Sequence, residues 1–152
     1  TPINKKVTIA EMTDALNVPV ANGDAALTCT AALHGGRVVM QGNVSADRII
    51  TLPVPTAGLT FRIKSSGLTA ADGHDVQIQI AGGSAFFQGG VTFLDTDNAT
   101  SVITPDGNSN DFLNVHVPFH YDLTFVGVSA GLYHVSGFVT SATAPTFDDA
   151  AD

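Results

Sequence analysis

Ile50 and Leu52 alternate with Thr51, and Leu59, Phe61 and Ile63 alternate with Thr60 and Arg62. A period of two belongs to strands with one face buried and the other wet. Pro53 and Pro55 cannot donate to a ladder, and Gly58 supplies a flexible turn residue, so this stretch reads strand, turn, strand. The same alternation recurs down the chain. It predicts strands over 25–32, 37–41, 47–52, 59–64, 75–80, 91–94, 101–104, 112–117, 121–128 and 132–140. The cleanest is the run from Val76 to Ile80, in which Val76, Ile78 and Ile80 point to a core while Gln77 and Gln79 point away. The last two strands read as a closing hairpin through Ser129-Ala130-Gly131.

The two ends depart from this pattern. Residues 1–24 read as an N-terminal arm. Ile9, Met12 and Leu16 fall at helical spacing behind a Thr8–Glu11 capping box, and an extended arm with Val7 and Ile9 as strand residues is the competing reading. Residues 25–144 form the β-domain, and 145–152 read as an acidic, frayed tail. The fold class expected is all-β: a β-sandwich, jelly-roll-like, or a barrel of short antiparallel strands, with an N-terminal arm. No exact internal repeat period emerges, which counts against a regular solenoid.

Composition sharpens the picture. Charged residues make up 13%, well below the roughly 25% of an ordinary soluble domain, which suits a protein that hides much of its surface in an assembly. The net charge is −8, with no cationic cluster beyond Lys5-Lys6, so neither nucleic acid nor an anionic membrane is an expected partner. Lys5, Lys6, Val7, Ile9, Met12 and Leu16 are the candidate partner-binding residues. An arm this apolar is expected to order on its partner while its two lysines meet acidic groups. No apolar run is long enough for a membrane span.

Candidate chemistry is thin. Cys29 is the only cysteine, so no internal disulfide framework exists, and its alternation with Leu27 and Ala31 reads as that of a small buried hydrophobe. His116 and His120 straddle Pro118 and His134 lies on a later strand, so a zinc site needs those strands to meet. Asp106, Asn108 and Asn110 fit the start of a calcium loop, but Asp111 stands at the glycine position and Val117 at the final Glu position. Glu11 is the only Glu, and neither a Gly-x-Ser-x-Gly elbow nor a phosphate loop is present. Phe86, Phe87, Phe119, Tyr121 and Tyr133 are candidates for a sugar-stacking surface, though aromatics at such positions are more often core. The expectation is a non-enzymatic protein without a cofactor.

The run from Thr51 to Ile63, with its Thr-Leu-Pro, Ala-Gly-Leu and aromatic strand, resembles a segment of small structural proteins of tailed bacteriophages. Gly82-Gly83 and Gly89-Gly90-Val91 follow in the same order, and Tyr133-His134-Val135-Ser136-Gly137-Phe138 matches the closing strand of that pattern. The resemblance covers roughly residues 25–140 and leaves out the arm. It implies a virion protein: a capsid decoration (cement) protein on the outer surface of the capsid, or a tail or fibre component. The leading expectation is a homotrimer that binds the major capsid protein and bridges capsomers. The alternative is a tail-fibre or carbohydrate-binding module.

Overall fold

The structure, a computed structural model, describes residues 8–10, 17–66 and 73–150. The strands are β1 (Val20–Asn22), β2 (Leu27–Thr28), β3 (Val38–Gln41), β4 (Arg48–Leu52), β5 (Thr60–Ser65), β6 (Val76–Ile80), β7 (Phe86–Gly89), β8 (Val91–Asp95), β9 (Thr100–Ile103), β10 (Phe112–Val115), β11 (His120–Ser129), β12 (Leu132–Ser141) and β13 (Thr146–Asp148). One short helix, α1 (Ala31–His34), interrupts them. An eight-stranded sheet has the order β1-β3-β5-β11-β12-β8-β9, with β7 also paired to β12, and a five-stranded sheet has the order β13-β10-β6-β4-β2. Among the described residues both sheets end in open edges, so the architecture is sandwich-like and not a barrel.

The strands are mixed in direction, not uniformly antiparallel as the turn spacing predicts. From β1 to β6 the chain crosses to the opposite sheet after every strand, so consecutive strands never pair. Instead β1, β3 and β5 run parallel in one sheet and β2, β4 and β6 run parallel in the other. These six strands make three turns of a two-faced coil. Val20 lies beside Val39 and Val38 beside Arg62, steps of 19 and 24 residues; Leu27 lies beside Ile50 and Arg48 beside Val76, steps of 23 and 28. Unequal turns leave no fixed sequence period, which is why the winding escapes a repeat search. The antiparallel strands β10 and β11 then pair with β6 and β5 and end the coil.

The predicted alternation holds where it matters for the core. Ile50, Leu52, Ile78, Leu113 and Val115 of the smaller sheet and Phe61, Ile63, Leu123, Phe125 and Tyr133 of the larger are almost fully buried in one continuous cluster. Ile78→Ala is therefore expected to lose about 2–5 kcal/mol in urea denaturation, through a cavity between the sheets. Gln79 is half-buried and donates to Thr51 Oγ1 at 3.1 Å, so Gln79→Ala should cost only about 0.5–1.5 kcal/mol. Equal losses at the two positions would contradict this assignment of faces.

Three expected boundaries change. The strand predicted over 25–32 shrinks to Leu27–Thr28, because Thr30 caps α1: its Oγ1 accepts from Leu33 N at 3.3 Å, and its own N–H donates to His34 Nδ1 at 3.0 Å. The arm does not run to residue 24, since β1 lies in the larger sheet, and a buried amide cluster holds it there. Asn22 Nδ2 donates to Gln41 Oε1 at 2.6 Å and to Ala25 O at 3.0 Å, while Gln41 Nε2 donates to Gly23 O. The tail is not free either. Residues 146–148 pair with β10, and Phe147 turns inward against Phe87, with ring centroids 6.0 Å apart. One aromatic among aspartates is enough to anchor a three-residue edge strand. The helix predicted over 9–16 falls mostly outside the described residues, though Ile9, Ala10 and Asn17 are helical.

Candidate functional site

Of the six candidate partner-binding residues, Lys5, Lys6, Val7, Met12 and Leu16 lie outside the described residues. Ile9 is 84% exposed. Further along, Val18 and Leu33 expose 58% and 61% and are drawn to one place by Arg37. Its guanidinium donates to Val18 O through Nη2 at 2.8 Å and Nε at 3.2 Å, and to Leu33 O through Nη1 at 3.0 Å. An apolar flank thus sits beside β1, an edge strand of the larger sheet.

The outer face of the smaller sheet carries the other ordered constellation. Asp75, just before β6, accepts from Asn114 Nδ2 at 3.1 Å and Val117 N at 3.0 Å, and its Oδ2 lies 3.0 Å from His116 Nδ1. These contacts hold Val117 at φ 36°, a left-handed conformation that costs a β-branched residue about 1–3 kcal/mol. His116 Nε2 faces Thr146 Oγ1 at 3.5 Å. Carboxylate, imidazole and hydroxyl in line is the order used by nucleophilic hydrolases. Here the Thr146 hydroxyl donates to Asp148 Oδ2 at 2.8 Å, so its proton points away from His116. The chain of contacts ties β13 to β10 rather than preparing a nucleophile.

Beside this chain the strand registers align outward side chains in two transverse rows. Ile49, Gln77, Asn114 and Thr146 form one; Thr51, Gln79, Phe112 and Asp148 form the other. Ile49, Gln77, Gln79, Phe112 and Asp148 line a shallow groove of about 370 Å³. Gln77 and Gln79 were predicted to face outward. What the sequence does not reveal is that β6 and β10, far apart in the chain, pair directly and bring them together with Phe112. The aromatics considered for sugar stacking are placed elsewhere: Phe87, Tyr121 and Tyr133 are buried in the core, and Phe86 and Phe119 are half-buried.

The remaining candidates resolve into structural roles. Cys29 is 2% exposed, and burial pushes its thiol up to about 11, which keeps it protonated. His116 follows β10 in the smaller sheet, whereas His120 and His134 lie on β11 and β12 in the larger. No group of three His, Cys, Asp or Glu suited to a metal exists among the described residues. In the 106–111 loop, Asp106 accepts from the backbone N–H groups of Asn108, Ser109 and Asn110 and from the Ser109 hydroxyl, so its oxygens are spent on the turn. The same bonds hold its carboxyl well below the usual range.

On the larger sheet, Arg62 grips Asp122 through Nε at 2.7 Å and through Nη2, with Lys64 3.8 Å away. The Arg62 hydrogen bonds hold the Asp122 carboxyl below its ordinary value against the opposing effect of burial. A depressed folded-state value stabilises the fold above the unfolded value, near pH 4, and that stability is lost as pH falls through the folded one. Arg62 is half exposed, so solvent screening limits the effect to about 0.2–1 kcal/mol. Asp122→Asn should therefore flatten the decline of the melting temperature below about pH 4. An unchanged acid limb would assign the decline to other carboxylates.

The chain matches no protein-family model, no curated protein sequence and no solved structure.

Proposed function

We propose that this protein is a non-enzymatic structural component of a bacteriophage virion, a decoration protein on the outside of the capsid. In this reading it assembles as a homotrimer and stabilises the head by bridging neighbouring copies of the major capsid protein. The observation that carries the reading is the apolar flank: Val18 and Leu33, drawn together by Arg37, are exposed on a chain that has few charges to keep such a surface in water. Exposed apolar side chains beside an open strand edge are the features that protein–protein attachment covers. Closed symmetry would bury edges of this kind and match three-fold positions on a shell.

The test separates arm from domain. Val18 and Val20 belong to the folded unit, so truncation has to stop before them; a chain lacking residues 1–16 keeps the Arg37 contacts and β1. It is expected to remain folded and trimeric, at three times the chain mass of 15.6 kDa, yet to bind undecorated capsids at least about tenfold more weakly than the full chain. Unchanged capsid affinity would remove the arm from the attachment. A monomer in light scattering across micromolar concentrations would remove the trimer.

A further inference from the structure

The groove across the smaller sheet supports a second role, independent of how the protein attaches to a particle. We propose that this outer face binds a neutral saccharide, with Gln77, Gln79 and Asp148 holding its hydroxyls and Phe112 lying against a ring.

The first argument is hydrogen-bonding capacity. Gln77 is half-buried on β6, and no hydrogen bond engages its carboxamide among the described residues. Gln79 spends one N–H on Thr51 Oγ1 at 3.1 Å, which fixes its plane and leaves its Oε1 available. Asp148 accepts from Thr146 at 2.8 Å through Oδ2 and keeps Oδ1. A carboxamide offers a donor and an acceptor side by side, the pairing that vicinal hydroxyls of a pyranose satisfy in return. The second argument is shape. Phe112 and Ile49, the latter 38% exposed, give the groove apolar surface beside these polar groups, the mixture that suits a sugar's C–H face and its hydroxyl edge. A row crossing four strands spans about 14 Å, room for an extended oligosaccharide rather than a single ring.

The third argument is charge, which selects the class. Among the described residues the lining contains no Lys or Arg, and Asp148 and Asp149 stand at one side. Uronic and sialic acids, phosphate esters and nucleic acids meet repulsion there with no cation to offset it. The fourth is rigidity. Ile49, Gln77, Gln79, Phe112 and Asp148 all project from strands of a single sheet, so binding does not require ordering a loop.

The full-length protein titrated calorimetrically with laminarihexaose, cellohexaose, maltohexaose and mannohexaose tests the proposal. At least one should give a saturable heat at ligand concentrations up to about 5 mM. Hexagalacturonate should bind at least about tenfold more weakly than that ligand. Gln77→Ala and Phe112→Ala should each weaken it by at least about tenfold. Because Phe112→Ala also thins the sheet's packing, the direct readout is the side-chain amide resonances of Gln77 and Gln79 in the unaltered protein, which should shift on titration. No saturable heat with any of the four neutral hexaoses would overturn the proposal, as would equal affinity for hexagalacturonate. Binding that leaves the Gln77 amide resonances unmoved, or that survives Gln77→Ala undiminished, would place the sugar elsewhere and overturn it as well. None of these readouts involves capsids, so the decoration reading stands or falls separately.

Discussion

Gly137→Ala is expected to destabilise the protein by about 3 kcal/mol or more, enough to abolish folding in a marginally stable domain. Gly137 sits in mid-strand on β12, opposite Leu123 of β11, with φ +130°. A Cβ there would lie 2.0 Å from Asp122 O and 3.0 Å from Leu123 Cα. Both obstacles are backbone, so no side chain can swing aside to make room. The strain of an unfavourable φ adds to a clash at the centre of the longest strand pair, and moving Asp122 also loosens its grip on Arg62. Gly23→Ala is the matched control, because a Cβ at Gly23 meets nothing within 4 Å. Urea denaturation should separate the two variants widely; similar midpoints would mean that the β11–β12 pair relaxes around the extra methyl.

Phe125→Ala is the second large loss expected, about 3–5 kcal/mol. Phe125 is fully buried on β11, and its ring centroid lies 5.6 Å from that of Phe87, which in turn packs against Phe147. Removing it opens a cavity where the larger sheet meets the C-terminal strand of the smaller one. The rigid strands on either side limit collapse into the gap, so the cost belongs at the upper end of the range for such truncations. Phe125→Leu, which retains most of the volume, should recover much of the loss, and thermal unfolding of the three proteins in parallel measures both effects. A small loss for the alanine variant would show that Phe87 and Phe147 can close the space.

What was legible in the chain is the direction of individual side chains. Alternation assigned Ile50, Leu52, Phe61, Ile63 and Ile78 to the core, and all five are fully buried. The β11–β12 hairpin was legible because its two strands are neighbours in sequence and close through Ala130 and Gly131. Sheet membership was not, because periodicity tells which way a side chain points but not which strand lies beside it. The 47–52 and 59–64 strands therefore read as a pair, whereas Arg48–Leu52 and Thr60–Ser65 belong to different sheets. The loop between them leaves one sheet and folds onto the other. Gly58 N donates to Gly127 O at 2.8 Å, and a Cβ at Gly127 would lie 2.1 Å from Thr56 O. The groove follows the same rule. Gln79 was legible as outward-facing, but register alone, set by long-range pairing, places it opposite Phe112 across β6 and β10.

The back-and-forth winding of the first six strands also dictates an order of events in folding. Each of those strands finds its partners in the coil 19 to 28 residues away, with a crossing to the other sheet in between. No such contact forms without first closing a long loop, whose entropy has to be met before any pairing rewards it. The β11–β12 hairpin faces no such delay; its ten-residue strands can meet within microseconds across a two-residue turn. It then offers β5 an edge on one side and β7 and β8 an edge on the other. Assembly is therefore expected to run against the direction of synthesis, the strands made first waiting for those made last. A nascent chain halted before residue 120 has a coil to wind and no template on which to wind it.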